Sequence, residues 1–425
     1  VTYSEAIQYL YGLRLFGAKL GLEYTLQLAG MAGHPEKHLR FIHVAGTNGK
    51  GSTCAMLESI YRAAGLRTGL FTSPHLVSFR ERMQVEREMI SEAEVVRLVE
   101  KFKELAEKFP REHHPTFFEM VTVMALDFFA ERECEVVIWE TGLGGRLDAT
   151  NIVTPLASVI TNIAFDHQQW LGDTLEKIAF EKAGIIKPGV PVVTATDEPE
   201  ALAVIKRVAA EKNAHLMVVS EGHLPSKFAA SLPLAGTHQK GNAALALTTV
   251  MTLQGKIPVS QEHFQLGLKK VNWPGRLQLI QKPGGKEILL DGAHNIAGAK
   301  ALREAVEKNF PGGKRTLILG IFNDKDWREI CQTLAPLAEK ILAVRISSQR
   351  TARTEDLAEA CREANPAAKI LVCGSLSEAL HVAEADAFVL VSGSLYLIGE
   401  ALELMGYFPS AKSERELNEW GGVKN

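Results

Sequence analysis

The chain has 425 residues, long for one hydrophobic core and comfortable for two, because single cores stop growing near about 250 to 300 residues. With 46% hydrophobic and 23% charged residues it has the composition of a soluble globular protein, and its net charge of −3 offers no footprint for nucleic acid or an anionic membrane surface. The five cysteines (Cys54, Cys134, Cys331, Cys361, Cys373) are scattered and never spaced C-x-x-C, which argues against a disulfide framework or structural zinc and leaves them as small buried hydrophobes. No apolar run reaches the roughly 18 residues of a membrane span. The first residues lack the basic and apolar regions of a secretory signal. A cytoplasmic enzyme with no nucleic-acid or membrane partner is the expectation.

Apolar runs rich in β-branched residues alternate with helix-period segments, the pattern of a mostly parallel α/β sheet. Strands are expected at residues 41–45, 68–72, 136–139, 157–161 and 190–194. Residues 281–286, Gln-Lys-Pro-Gly-Gly-Lys, are polar and carry Pro and two Gly, so they read as the boundary between two domains. After them a second alternation begins, with strands at 287–290, 315–319, 340–346, 369–373 and 387–391 and helices between, the content of a smaller Rossmann-like α/β domain. The expected division is therefore 1–283 and 286–425, the larger domain being P-loop NTPase-like.

Between the first strand and a helix expected over residues 52–64 lies Gly46-Thr47-Asn48-Gly49-Lys50-Gly51-Ser52. Glycines let backbone N–H groups approach an oxyanion, and the helix start adds its positive dipole end. Lys50 can reach outer phosphates, and the Ser52 hydroxyl can meet Mg²⁺. The strict phosphate-loop pattern is broken: Val44 stands at the first glycine position, and Gly51 precedes the hydroxyl residue.

The strand at 136–139 leads into Glu140-Thr141-Gly142-Leu143-Gly144-Gly145-Arg146, which puts a carboxylate at a strand end where α/β sheets collect ligands. Glu140 can hold Mg²⁺ directly or through water. Asp166-His167 trails the next strand in the same way.

These segments, with Phe71-Thr72-Ser73-Pro74-His75-Leu76, Leu147-Asp148-Ala149-Thr150-Asn151, Glu181-Lys182-Ala183-Gly184, Trp273-Pro274-Gly275-Arg276 and Asp291-Gly292-Ala293-His294-Asn295, resemble the folylpolyglutamate synthase/dihydrofolate synthase family of the Mur ligase superfamily over nearly the whole chain. The resemblance implies an ATP-dependent ligase. ATP phosphorylates a pterin-bearing carboxylate, and the amino group of L-glutamate displaces phosphate to form an amide. It implies ATP contacts at Asn48, Gly49, Lys50, Gly51, Ser52, Asn242, Arg276, Asp291 and His294, with ATP lying between the domains. It places one or two Mg²⁺ ions at Ser73, Glu140, His167 and a carbamoylated Lys182, and it makes Lys50, His167 and Lys182 the catalytic set.

Gly21-Leu22-Glu23-Tyr24, Thr116-Phe117-Phe118-Glu119 and Leu147-Asp148-Ala149 resemble the folate or dihydropteroate contacts of bifunctional members. Phe117 and Phe118 are also suited to filling the core of a helix over residues 117–129. A monomer is expected. The rival reading, a cell-wall Mur ligase acting on a UDP-sugar peptide, is disfavoured by Gly51 after Lys50 and by a lead-in of only about 45 residues, below the usual domain size. A nucleotide-gated ATPase without ligase activity would turn over ATP without glutamate.

Overall fold

The computed structural model describes residues 1–17, 21–408 and 412–418. The chain divides into two compact units. The first comprises Val1–Pro233, Lys240–Val271 and the described residues from Glu416, and the second Leu234–Gln239 and Asn272–Arg415.

The first unit is built on eight strands: β1 (Phe41–Ala45), β2 (Thr68–Phe71), β3 (Met83–Val85), β4 (Glu88–Met89), β5 (Val136–Glu140), β6 (Ala157–Ile160), β7 (Val192–Thr194) and β8 (Leu216–Val218). Their order is β4-β3-β2-β5-β1-β6-β7-β8. The pairs involving β3 are antiparallel and the others parallel. β1 and β5 are buried at all five positions, as central strands covered on both faces must be.

On one face the helix Phe117–Glu131 packs Met120, Met124 and Phe129 into a cluster with Phe41, Phe71 and Trp139. Ile178 and Ala179, from the helix Leu175–Ala183, join Ala45, Ile160 and Ile205 in another. The helices Lys50–Ala63 and Gln261–Lys270 meet closely. Ser59 Oγ donates to the Gly267 carbonyl at 2.7 Å, and a Cβ on Gly267 would fall 2.4 Å from the Ile60 Cα. Before β1 the lead-in is helical, with Tyr3–Gly12 and Glu23–Met31.

The second unit carries β9 (Gln278–Lys282), β10 (Lys286–Asp291), β11 (Thr316–Leu319), β12 (Lys340–Val344), β13 (Lys369–Cys373) and β14 (Phe388–Ser392), in the order β13-β12-β11-β14-β10-β9. The five parallel strands are those expected, with no end shifted by more than two residues. β9 is an antiparallel addition. Its pairing with β10 corrects the reading of residues 281–286: Gln281 faces Glu287 and Lys282 faces Lys286, so Pro283, Gly284 and Gly285 close a hairpin inside the second unit. Gly284 and Gly285, at φ of 79° and 75°, supply the left-handed backbone that this turn requires. Linkers and hairpin turns share this composition. What marks a hairpin is a short apolar run on each side that pairs across the turn, here Ile280 opposite Ile288 and Leu279 opposite Leu289. Ahead of this hairpin the chain passes from the first unit to the second between Val271 and Asn272, so residues 281–286 lie within the second unit and do not link the two.

All five cysteines are buried and unbridged. Among the described residues no helix is long and apolar enough to cross a membrane.

Candidate active site

The loop after β1 is shaped by two glycines. Gly46 has φ of 145°, and a Cβ there would fall 1.8 Å from Thr161 Oγ1 at the end of the neighbouring strand β6. Gly49 has φ of 84° and caps the helix Lys50–Ala63, where a Cβ would fall 2.5 Å from Asn242 Oδ1. The helix therefore starts two residues before the expected Ser52, which sets the N–H groups of Lys50, Gly51 and Ser52 at its open end.

The strand end beside the loop fastens it. Thr161 Oγ1 donates to the Asn48 carbonyl at 2.6 Å, Asn162 Oδ1 accepts from Asn48 N at 2.8 Å, and Thr47 N donates to the Asn162 carbonyl at 2.9 Å. Lys50 Nζ donates to the carbonyls of Gly46 (3.1 Å) and Thr47 (3.2 Å), so its charge sits over the loop.

Lys182, from the helix Leu175–Ala183, donates from Nζ to the same Gly46 carbonyl at 2.7 Å. It is buried. Burial and the nearby Lys50 push its pKa down to about 7, against the opposing pull of Asp166 and Asp148. Near neutral pH a large share of this amine is therefore uncharged.

Glu140 ends β5, and Ser73 follows the adjacent strand β2. Glu140 Oε2 accepts from Ser73 N at 2.9 Å. His167 begins the short helix Gln168–Leu171 with a left-handed backbone, and Asp166 Oδ1 accepts from its N–H at 2.9 Å. Ser73 and Glu140 are thus in direct contact, and His167 is fixed by Asp166. Among the described residues no group of three or more His, Cys, Asp or Glu could hold a metal ion. The expected set contains only two such residues. Its hydroxyl, carboxylate and imidazole suit a hard divalent cation once Lys182 supplies an oxygen, since a bare ammonium has donors alone.

The loop after Glu140 packs on the Lys182 helix. Arg146 N donates to the Glu181 carbonyl at 2.7 Å, and Arg146 Nη2 pairs with Glu181 Oε1 at 2.8 Å. Phe118 is partly buried against Gly142, where a Cβ would fall 2.5 Å from its Cζ. Asp148 is buried, accepts from Leu143 N at 2.7 Å and Thr150 N at 3.1 Å, and starts the 3-10 turn Ala149–Ile152 directly after Leu147.

Thr116 and Glu119 are bonded to each other as a helix-capping box: Thr116 N donates to Glu119 Oε2 at 2.8 Å, and Glu119 N to Thr116 Oγ1 at 3.3 Å. Phe117 is core, edge-on to Phe79, with the Arg82 guanidinium 5.3 Å above its ring. Gly21 and Leu22 lead into the helix Glu23–Met31, whose Tyr24 hydroxyl lies 2.5 Å from His113 Nδ1.

In the second unit, Asp291 accepts from Leu277 N and Ala293 N, both at 2.9 Å, tying the Gly275–Leu277 turn to the end of β10. Gly292 N donates to the Gly275 carbonyl at 3.0 Å, and Arg276 Nη1 packs against Gly292. His294 Nδ1 bonds the Gly292 carbonyl at 2.8 Å. Arg276, Asp291 and His294 are therefore one cluster. His238 lies beside it, its pKa lowered by desolvation and by Arg276 against the pull of Asp291 and Glu304.

The Mur ligase middle domain matches residues 44–250, and the Mur ligase glutamate ligase domain matches residues 275–395. Dihydrofolate synthase/folylpolyglutamate synthase of Bacillus subtilis is 37% identical over 423 residues, covering 94% of this chain and 98% of that one. The chain belongs to the folylpolyglutamate synthase/dihydrofolate synthase family of Mur ligases. It is an ATP-dependent ligase of that family.

Two solved folylpolyglutamate synthases share its architecture. The Mycobacterium tuberculosis enzyme complexed with ADP and AMPPCP has a TM-score of 0.86 at 28% identity, over 96% of this chain and 100% of that one. Escherichia coli FolC in complex with DHPP and ADP has a TM-score of 0.82 at 30% identity, over 96% and 98%. Binding of ATP accords with both. Thr161, Asn162 and His238 escape a reading of the family motifs, because each acts through a partner distant in sequence. The one local signal is polar residues at the end of an apolar strand, as at Thr161-Asn162.

Proposed function

We propose that this ligase adds L-glutamate to folates and to 7,8-dihydropteroate through an acyl phosphate, releasing ADP and phosphate. The observation that carries the reading is the convergence of Lys50 and Lys182 on the carbonyl of Gly46, which puts an amine of depressed pKa beside a phosphate-type loop. Support for the two acceptors comes from the paired activities in the names of the Bacillus subtilis and Escherichia coli relatives.

In this reading the N–H groups at the start of the Lys50 helix and the Lys50 ammonium hold the β- and γ-phosphates, with Asn48, Gly49, Gly51, Ser52 and Asn242 lining the loop. Arg276, Asp291 and His294 add nucleotide contacts from the glutamate ligase unit. Lys182 takes up CO₂ at its neutral amine. Its carbamate, with Ser73, Glu140 and His167, would hold Mg²⁺, whose charge offsets that of the phosphates. The acceptor lies along Gly142, Phe118, Asp148 and Ala149, with Tyr24 as a further contact.

The acceptor carboxylate attacks the γ-phosphorus. The glutamate amine then attacks the acyl carbon, and phosphate leaves with the bridging oxygen. Positioning and charge neutralisation supply most of the rate in phosphoryl transfer, and the site offers both. The test is phosphate release with ATP, Mg²⁺ and glutamate, comparing dihydropteroate, tetrahydrofolate and a UDP-sugar peptide. Turnover with the two pterins supports the reading; turnover with the sugar peptide alone replaces it with the cell-wall alternative.

A further inference from the structure

Three central strands each carry one polar residue at the same level: His43 on β1 lies opposite Trp139 on β5 and Ser158 on β6. All three are wholly buried, and each bonds to the chain that covers this face of the sheet. Trp139 Nε1 donates to the Thr150 carbonyl at 2.9 Å, and Ser158 Oγ donates to the Ile185 carbonyl at 2.9 Å. His43 Nε2 meets the Thr150 hydroxyl at 3.0 Å, and that hydroxyl donates in turn to Asp148 Oδ1. The first two bonds end at backbone. The third runs on through a side chain to a buried carboxylate.

The proton count fixes its direction. Thr150 has a single hydroxyl proton, given to Asp148, so toward His43 it can only accept, and Nε2 must carry the ring proton. Burial and the Lys187 ammonium push the His43 pKa down to about 3, which keeps the ring neutral with one N–H. Nδ1 is then a bare acceptor, and it is the buried ring nitrogen with no hydrogen-bond partner among the described residues. An orphan acceptor costs less than an orphan donor, so the tautomer and the packing agree. Burial raises the pKa of Asp148, and the donors from Thr150 Oγ1, Leu143 N and Thr150 N oppose part of that rise.

We infer that His43 is a positioning residue for the pterin-bearing acceptor, orienting the Thr150 hydroxyl so that Asp148 is held as a fixed hydrogen-bond acceptor. The inference rests on the proposed reading in which Asp148 meets that acceptor. His43 lies in the strand that feeds the phosphate loop, yet its bonds lead to the pterin side and away from ATP.

The test compares the full-length enzyme with His43→Leu, His43→Gln and Asp148→Asn. Loss of a hydrogen bond that orients a charged group predicts roughly a tenfold rise in the dihydropteroate KM for His43→Leu, with the ATP KM unchanged. His43→Gln, whose amide can donate from near the position of Nε2, restores most of the loss. A rise for Asp148→Asn with none for His43→Leu overturns the inference alone. No rise for Asp148→Asn overturns the acceptor reading and the inference with it. If His43→Leu does not fold, ¹⁵N NMR of the wild-type histidines decides. A neutral Nε2–H tautomer for His43 is expected, and an Nδ1–H tautomer or an imidazolium at neutral pH overturns the proposal.

Discussion

Lys182 donates a 2.7 Å hydrogen bond from Nζ to the carbonyl of Gly46, 136 positions away, and Lys50 donates to the same oxygen at 3.1 Å. Two amines on one carbonyl repel each other, and the buried one yields. Its depressed pKa follows from burial first and from that competition second.

Carbamate formation at Lys182 requires the neutral amine and releases a proton. With the pKa pushed down to about 7, the amine is protonated and inert to CO₂ below that pH and available above it. Activity in CO₂-free buffer should fall as the pH drops through about 7, and added bicarbonate should restore part of it. Lys182→Ala should lose activity, with recovery on adding a short carboxylic acid. Initial rates with and without bicarbonate across pH 6 to 8 check this, and a rate indifferent to bicarbonate at every pH contradicts the carbamate.

Gly46→Ala places a methyl 1.8 Å from Thr161 Oγ1 at a backbone φ of 145°. The loop or the end of β6 has to move, at a cost of about 1–3 kcal/mol. A lower thermal midpoint with loss of ATP binding is expected. ATP titration followed by fluorescence or calorimetry would show retained affinity if the loop tolerates the methyl.

Arg276→Ala removes the guanidinium that packs against Gly292 in the Asp291–His294 cluster. Loss of a charge-assisted contact to phosphate should raise the ATP KM by about tenfold or more and leave the dihydropteroate KM nearly unchanged. Steady-state kinetics with each substrate varied in turn distinguish the two.

Thr116→Ala should act through stability. Thr116 and Glu119 satisfy each other at the start of the Phe117–Glu131 helix, so losing the cap costs about 1 kcal/mol. A shifted denaturation midpoint with a dihydropteroate KM within about twofold of wild type is expected, because 1.4 kcal/mol would be needed for tenfold. A large KM change at unchanged stability would return Thr116 to the acceptor site.

Short-range features were readable in the sequence. Gly46 to Ser52 follows a buried strand and opens a helix, and Asp291 closes the first parallel strand of the second unit, as the order of apolar runs and glycines indicates. Residues 281–286 form a hairpin although their composition equally fits a linker, because a Pro-Gly-Gly turn and a linker share it; the difference lies in the pairing of β9 with β10. Thr116-x-x-Glu119 is at once a family motif and a capping signature, and the structure shows the second role. The Tyr24–His113 contact and the His43–Thr150–Asp148 chain join residues 89 and 107 positions apart. No local pattern encodes them, since the tertiary packing of segments distant in sequence brings them together.

The central claim is an acyl phosphate made from a pterin carboxylate and ATP. The most direct measurement uses dihydropteroate with an ¹⁸O-labelled carboxylate, together with ATP, Mg²⁺ and glutamate. The released phosphate should carry one ¹⁸O from the acceptor for each amide formed, and none should form without glutamate. Phosphate whose new oxygen comes from water, released at the same rate with or without acceptor, would show an ATPase and contradict the assignment.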